Sequence, residues 1–352
     1  MKILITGNMG YVGPVVVERL RASFPEAFLI GLDMGYFASC LTTPDTLPER
    51  LLNNQYFGDV RNFLPAIVNN IDTVVYLAAI SNDPMGATFE STTLDVNYRA
   101  AVHLAKVAKK AGTKNFVFAS SCSVYGFAEG GARSEDDPIN PLTAYAKSKI
   151  LAERGIAELA DETFSVTCLR FATACGMSDR LRLDLVLNDF VASAVATGRI
   201  TILSDGTPWR PLIHIKDMAR AIDWAVRRDA NNGNHYLAVN VGSDKWNYQV
   251  KDLAESVRAI IPTVKIAINK SAQPDKRSYR VSFDKFTRLA PNFLPEADLL
   301  TAIRDLKDGL HRMKFQDPDF HNSRFIRLNM LKHLKHAGYL TEDLRWSSIP
   351  AN

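Results

Sequence analysis

Over the first 170 residues, short apolar runs alternate with stretches of helical spacing. The runs are Lys2–Thr6, Phe28–Leu32, Thr73–Leu77, Asn115–Ala119 and Ser165–Leu169. They are apolar throughout rather than at every second position, which marks strands buried on both faces. Between them the spacing predicts helices over Val12–Leu20, Leu94–Ala111 and Ala144–Leu159. In the second of these, Leu94, Ala101, Leu104, Ala108 and Ala111 share a face, and Gly112 ends it. A chain that alternates in this way closes as a parallel sheet covered by helices on both sides.

Beyond residue 170 the rhythm is irregular. Helices are expected at Leu185–Ala196, Lys216–Arg227, Val250–Ile261, Leu299–His311 and Ser323–His336, with a short strand at Ile200–Leu203. Tyr236–Val241 reads as a strand able to rejoin the main sheet. No repeat or low-complexity linker separates the halves, so the second half reads as a smaller domain interleaved with the first.

Composition excludes several classes of function. With 42 Lys+Arg against 38 Asp+Glu and no dense basic block, a nucleic-acid partner is not expected. Apolar runs such as Thr73–Ile80 fall far short of the roughly 18 residues a membrane span needs, so no membrane partner is expected either. The N-terminus lacks a secretory cleavage pattern. Cys40, Cys122, Cys168 and Cys175 form no C-x-x-C pair, and a reduced, cytoplasmic chain is the economical reading. No residue pattern suggests a metal site.

The first strand and helix are joined by Gly7, Asn8, Met9, Gly10, Tyr11, Val12 and Gly13. At this G-x-x-G-x-x-G spacing, Gly7 permits a tight turn, Gly10 lets backbone approach a pyrophosphate, and Gly13 brings helix close to strand. The helix N-terminus then offers free N–H groups to the phosphates. Three glycines alone also suit a plain turn, but Asp33 stands twenty residues past Gly13 at the end of the second strand. Its carboxylate can accept from both hydroxyls of an adenosine ribose and would repel a 2′-phosphate. Met34, Gly35, Tyr36 and Phe37 supply no arginine for such a phosphate, so NAD is preferred to NADP.

Tyr145 and Lys149 stand four apart, hence on one face of a helix. A phenol titrates near ~10, too high for a base at neutral pH, and a nearby ammonium would lower it. Ser121, just past an apolar strand, would face the ligand crevice at that strand's carboxyl end. It could bond the substrate oxygen that Tyr145 deprotonates.

These features in this order resemble the extended short-chain dehydrogenase/reductase family, in its NAD-dependent nucleotide-sugar epimerase/dehydratase branch. The set comprises T-G-x-x-G-Y-V-G, Asp33, Asp59-Val60, Leu77-Ala78-Ala79, Asn97, the S-S-x-S-V-Y-G stretch from Ser120, Tyr145-x-x-x-Lys149 and Leu169-Arg170-Phe171. The resemblance spans nearly the whole chain. It implies a Rossmann-type doubly wound α/β sheet with a smaller interleaved C-terminal α/β substrate domain. Residues 1–171 would bind NAD, with 209–245 returning to them, and 172–208 with 246–352 would bind a sugar nucleotide. It implies catalysis by Ser121, Tyr145 and Lys149. NAD contacts would come from Gly7, Met9, Gly10, Tyr11, Val12, Gly13, Asp33, Asp59, Val60, Leu77, Ala78, Ala79, Tyr145 and Lys149. Asn97 joins that group, more as an architectural residue of the fold than a chemical one. A homodimer through the Leu94–Ala111 and Ala144–Leu159 helices is implied too.

For the sugar nucleotide, the resemblance points to the segment Gly206–Asp217, similar to an R-D-x-x-H-V-x-D pattern. Arg210 matches the arginine that meets the diphosphate or its ribose, with Pro211 where relatives often carry aspartate. His214 and Asp217 would fix the loop and cap the next helix. Arg277 is favoured over Arg280 as a second diphosphate arginine, since a guanidinium donates in a planar fork. Asn188 would touch the sugar or diphosphate; Ser81, Asn82, Cys122, Ser123 and Thr173 would border the hexose. Arg180 and Arg182 read as a solvated loop.

Epimerisation, 4,6-dehydration and ketoreduction share this triad. Similar dehydratases carry Asp-Glu after the catalytic hydroxyl, whereas this chain has Cys122-Ser123, a poor acid–base pair. Asp33 weighs against an NADP-preferring reductase. Epimerisation of a nucleotide-diphosphate sugar leads; a non-catalytic NAD-binding regulator is the alternative of another class, and retention of Ser121, Tyr145 and Lys149 argues against it.

Overall fold

A computed structural model of the protein describes residues 1–348 except 44, 129, 270 and 273–277. Its strands in chain order are β1 (Lys2–Thr6), β2 (Phe28–Asp33), β3 (Asn54–Phe57), β4 (Thr73–Tyr76), β5 (Asn115–Ser121) and β6 (Ser165–Phe171). There follow β7 (Thr173–Cys175), β8 (Arg199–Ile202), β9 (Trp209–His214), β10 (Tyr236–Val241), β11 (Asn247–Gln249) and β12 (Lys265–Ile268). The helices are α1 (Gly13–Ser23), α2 (Asp83–Thr88), α3 (Glu90–Leu94), α4 (Ala100–Lys110), α5 (Ala144–Ala157) and α6 (Val186–Thr197). The later ones are α7 (Ile215–Arg227), α8 (Val250–Ile260), α9 (Asp284–Leu289), α10 (Leu299–Arg312) and α11 (Arg327–His336).

The main sheet has seven strands in the order β3-β2-β1-β4-β5-β6-β10, and each neighbouring pair runs parallel. The carboxyl ends of β1, β2, β4 and β5 therefore open on one edge, where an α/β sheet binds its ligands. The strand at Tyr236–Val241 does rejoin this sheet, pairing with β6. On one face, Val16, Leu20 and Ile222 of α1 and α7 pack on Ile3 and Val117. On the other, Leu104 and Ile156 of α4 and α5 pack on Leu4, Val74 and Phe116. A separate core gathers Leu187, Val191, Leu253, Val257, Ile303 and Leu306 from α6, α8 and α10.

Several elements depart from the spacing. The expected Leu94–Ala111 helix starts earlier, at Glu90, and passes through a π turn at Asp95–Arg99 before α4. The last helix begins at Arg327 rather than Ser323. Strand β3 had no apolar signature because it is the sheet's edge and mostly exposed. The short β7, β9 and β11 make a small sheet of their own, and β8 pairs with β12. Among the described residues no helix is long and apolar enough to cross a membrane.

The end of the chain takes an unexpected course. The resemblance places residues 246–352 with the sugar-nucleotide part. Instead Leu331 and Leu334 of α11, with Leu340 and Leu344 beyond it, join the core beneath α4 and α5 of the main sheet. Leu331 is fully buried there, so Leu331→Ala should lower the unfolding free energy by about 2–5 kcal/mol in urea titrations. An unchanged midpoint would mean that α11 is not docked in solution.

Candidate active site

A cleft of about 1260 Å³ runs along the carboxyl edge of the sheet and on toward α6 and β8. At one end lies the glycine loop. Gly7 has φ +74°, and a Cβ there would sit 2.6 Å from the Ala78 nitrogen; one on Gly13 would sit 2.1 Å from the Asn8 oxygen. No side chain can occupy either place, so glycine lets the loop pack against Leu77-Ala78 and α1 pack against the loop. Helix α1 begins at Gly13 without a side-chain cap, leaving its first N–H groups for an anion. Asp33 closes this end: its carboxylate accepts from Met9 N at 3.0 Å and from Gly35 N at 2.7 Å. Burial raises its pKa, opposed by those two backbone bonds and the positive charge of Arg180.

Gly7, Gly10, Tyr11, Val12, Gly13, Asp33, Asp59, Val60, Leu77, Ala78 and Ala79 all line the cleft. Met9 does not; its side chain is buried, and it serves the site through its backbone bond to Asp33. Asp59 borders the cleft with its carboxylate already engaged by Arg61, at 2.7 Å from the guanidinium and 2.8 Å from the backbone N–H. Asn97, counted beside the cofactor contacts, lies off the cleft. Its amide accepts from Ile80 N at 2.8 Å and donates to Ile80 O and to Ser148 Oγ, both at 3.0 Å. It fixes the loop after β4, which is an architectural role.

Ser121, at the end of β5, and Tyr145 and Lys149, in the first turns of α5, meet in the middle of the cleft. Thr143 starts α5 by accepting from Ala146 N at 3.1 Å and is itself tied to Asp83 at 2.7 Å. The Ser121 hydroxyl faces the Tyr145 phenol and pulls its pKa down, while burial, the larger effect, raises it. Lys149 Nζ stands 5.7 Å from the centre of the Tyr145 ring and donates to Ala119 O at 2.7 Å. Burial pushes its pKa down to about 7, opposed by the carboxylate of Glu153 one turn further along α5. Burial thus works against the ammonium expected beside the phenol, and Glu153 works for it.

On the substrate side, Ser81, Asn82, Ser123, Thr173 and Arg210 line the cleft. Arg210 donates to Trp209 O at 2.9 Å. Arg277 lies outside the described residues. Two expected contacts do not face the cleft. Cys122 is fully buried, its thiol donating to Arg170 O at 3.0 Å and pushed well above its ordinary pKa by burial. Asn188 is fully buried as well. Its oxygen accepts from Gly176 N at 3.0 Å, and its nitrogen donates to the Tyr11 hydroxyl and to Arg182 O at 2.9 and 2.8 Å. With the whole amide spent, Asn188 shapes the wall without touching a ligand. His214 caps α7 through Lys216 N at 3.2 Å, and Asp217 accepts from Glu296 N and Ala297 N.

Arg180 and Arg182, read as a solvated loop, are buried. Arg182 lines the cleft, pairs with Asp184, and donates to Ser81 Oγ at 2.9 Å and Ser81 O at 2.7 Å. The Arg-x-Asp spacing was the local signal for that pair. Tyr279 also lines the cleft, buried, next to the arginine-bearing segment. Among the described residues no cluster of three His, Cys, Asp or Glu is arranged to hold a metal.

A glycine cradle, a buried carboxylate at the end of β2 and a Ser–Tyr–Lys trio at the edge of a parallel sheet define an NAD-dependent enzyme. Residues 3–242 match the NAD dependent epimerase/dehydratase family, and the chain belongs to it. It is 28% identical over 283 residues to the UDP-glucose 4-epimerase of Streptomyces lividans, covering 74% of this chain and 80% of that one. Among solved structures, MoeE5 in complex with UDP-glucuronic acid and NAD has a TM-score of 0.76 at 24% identity, over 89% of this chain and 99% of that one. TunA, an NAD dependent-NDP-hexosamine 5,6-dehydratase involved in tunicamycin biosynthesis, has a TM-score of 0.75 at 22% identity, over 90% of this chain and 99% of that one.

The buried Lys149 makes a pH signature. With a folded pKa near 7, below its unfolded value of 10.5, the cost of burying its charge is complete below pH 7. That cost fades as pH rises toward 10.5, where both states release the proton. Relative to wild type, nucleotide-free Lys149→Met should therefore melt higher at pH 6.5 than at pH 9.5. A difference in melting temperature that is flat across that range would contradict the burial of a titrating amine.

Proposed function

We propose that this protein epimerises a nucleotide-diphosphate sugar through a transient keto sugar. The observation that carries the reading is the meeting of Ser121, Tyr145 and Lys149 in one cleft whose walls also include the glycine loop, Arg210 and Tyr279. Such a cleft has room for a dinucleotide and a sugar nucleotide end to end. The kinship with UDP-glucose 4-epimerases at 28% identity supports the same chemistry.

Tyr145 would take the proton from a sugar hydroxyl, and Ser121 would donate to the same oxygen and hold it in line. Bound NAD supplies the acceptor and later the donor of the hydride. Lys149, anchored on Ala119 O, would hold the nicotinamide ribose and add positive charge whenever it is protonated. Arg210 would grip the diphosphate while the keto sugar turns to present its other face. Asp33, bonded by Met9 N and Gly35 N, would receive the adenosine ribose. Ser123 borders the same space; its hydroxyl oxygen is buried without a hydrogen-bond partner and is available to a sugar hydroxyl.

Elimination of water is the second reading, favoured by the fold shared with TunA and by Asp83, which lies close enough to raise the Tyr145 pKa. Against it, Cys122 faces away from the cleft with its proton held tightly, so positions 122 and 123 offer no acid–base pair. A homodimer through α4 and α5 and a reduced, cytoplasmic setting complete the proposal; all four cysteines are unpaired and buried.

Purified protein incubated with a panel of nucleotide sugars should yield a new anomeric proton signal by NMR, with no added cofactor consumed. A product lighter by one water would replace this reading with dehydration, and stoichiometric NADH consumption with reduction. Tyr145→Phe should lower turnover by about 10²–10⁴-fold, the usual worth of a positioned general base, while NAD content stays at the wild-type level. Unchanged turnover in that variant would remove Tyr145 from the chemistry.

A further inference from the structure

The C-terminal segment returns to the cofactor half of the cleft at two places. The first is Arg327, the opening residue of α11. It is 2% exposed yet lines the cleft between Ile326 and Leu328. Its Nη2 donates to Arg180 O at 2.9 Å, and its guanidinium lies 4.4 Å from the centre of the Phe37 ring, four residues past Asp33. Its Nη1 has no hydrogen-bond partner. Behind it, Arg180 is 1% exposed; Nη2 pairs with Glu49 at 2.9 Å, but Nε and Nη1 have no partner. Helix α11 itself opens without a side-chain cap and with no acidic residue in its first turn.

A buried guanidinium N–H that lacks an acceptor bears its full desolvation cost, and native walls seldom keep two such groups without use. Arg327, which lines the cleft, makes with the uncapped helix N-terminus a site for an anion arriving there, and the charge of Arg180 stands behind it. Arg327 sits between Phe37, on the ribose side, and Arg182 with Asp184, which hold the Ser81-Asn82 loop. That stretch joins the ribose carboxylate to the catalytic trio, where a dinucleotide carries its diphosphate.

The second place is the turn at residues 339–346. Trp346 Nε1 donates to Met34 O at 2.7 Å, and its ring lies 5.7 Å from that of Tyr36. The Tyr36 hydroxyl donates to Leu344 O, Arg61 donates to Asp343 O at 2.6 Å, and Arg345 stands 3.4 Å from Asp59. Met34, Tyr36 and Asp59 are cleft residues at the adenosine end. The last described turn of the chain is therefore fastened to the wall of that end by rings, hydrogen bonds and charge.

We propose that the C-terminal segment is part of the NAD site: Arg327, backed by Arg180, takes the cofactor diphosphate, and the Arg345-Trp346 turn closes the adenosine end, so that NAD leaves slowly. This rests on NAD binding alone and stands or falls independently of which sugar reaction follows. The diphosphate of a sugar nucleotide is the other possible source of the anion, and the test separates the two.

Full-length protein is loaded with NADH, excess NAD is added, and loss of bound-NADH fluorescence gives the dissociation rate. UDP affinity is measured in parallel by calorimetry, with no sugar turnover in either arm. Arg327→Met should release NADH at least tenfold faster with UDP affinity within twofold of wild type, and Arg327→Lys should fall between. Trp346→Ala should also release faster. Release within twofold of wild type in Arg327→Met, or a loss confined to UDP binding, would overturn the assignment. Should Arg327→Met fail to fold, Trp346→Ala, whose ring is 44% exposed, carries the test, and unchanged release there overturns the proposal.

Discussion

A buried ion pair ties α5, the helix that carries Tyr145 and Lys149, to the sheet. Arg170 on β6 grips Glu153 on α5 with two parallel bonds, Nε to Oε1 at 3.0 Å and Nη2 to Oε2 at 2.7 Å. Both are buried. The pair is saturated on every side: Ser120 on β5 donates to Glu153, and Arg170 donates to the Tyr125 hydroxyl, which donates in turn to Asn240 on β10. Removing one partner of a buried pair costs about 3–5 kcal/mol, because the other charge is left stranded. Lys149 lies one turn from Glu153 and Tyr145 one turn further, so the pair sets the direction of both side chains.

Burial then acts on those two residues with opposite signs and one result. It raises the phenol of Tyr145 and lowers the amine of Lys149, and both shifts favour uncharged forms. The resting site is thus biased toward neutrality, with Glu153 pulling Lys149 back toward its charge and Ser121 pulling Tyr145 toward phenolate. An oxidised nicotinamide, being positive, would favour the phenolate in the same way Ser121 does.

The parts of this arrangement that were legible in the amino-acid order are those set by short-range spacing. Interior strands announced themselves because both faces are buried; β3 did not, being an exposed edge. Gly7, Asp33, Ser121, Tyr145 and Lys149 could be placed because each lies at a strand end or on one helical face. Direction within a wall was not legible. Cys122 follows Ser121 directly and points into the protein, and Asn188 turns its amide onto Tyr11 and Gly176. Arg182 looked like a loop charge because its partner Ser81 lies 101 residues away. Arg327 gave no local signal at all: its neighbours Phe37 and Arg180 come from distant segments.

That distance has a consequence for how the protein is made. The indole of Trp346 bonds Met34 across 312 residues, and Arg345 meets Asp59 across 286. The glycine loop leaves the ribosome more than 300 residues before the turn that lies against its far end. During synthesis the nascent chain can form β1, α1 and β2 and pack them, but the adenosine end stays a shelf open to solvent. Only when residues 339–346 emerge can Trp346 and Arg345 meet Met34 and Asp59. Closing so long a loop adds little entropy beyond that of a shorter one, since the cost grows only with the logarithm of length. The order of translation thus places the contacts of Arg345 and Trp346 long after the residues they meet, Asp59 and Met34, have been made.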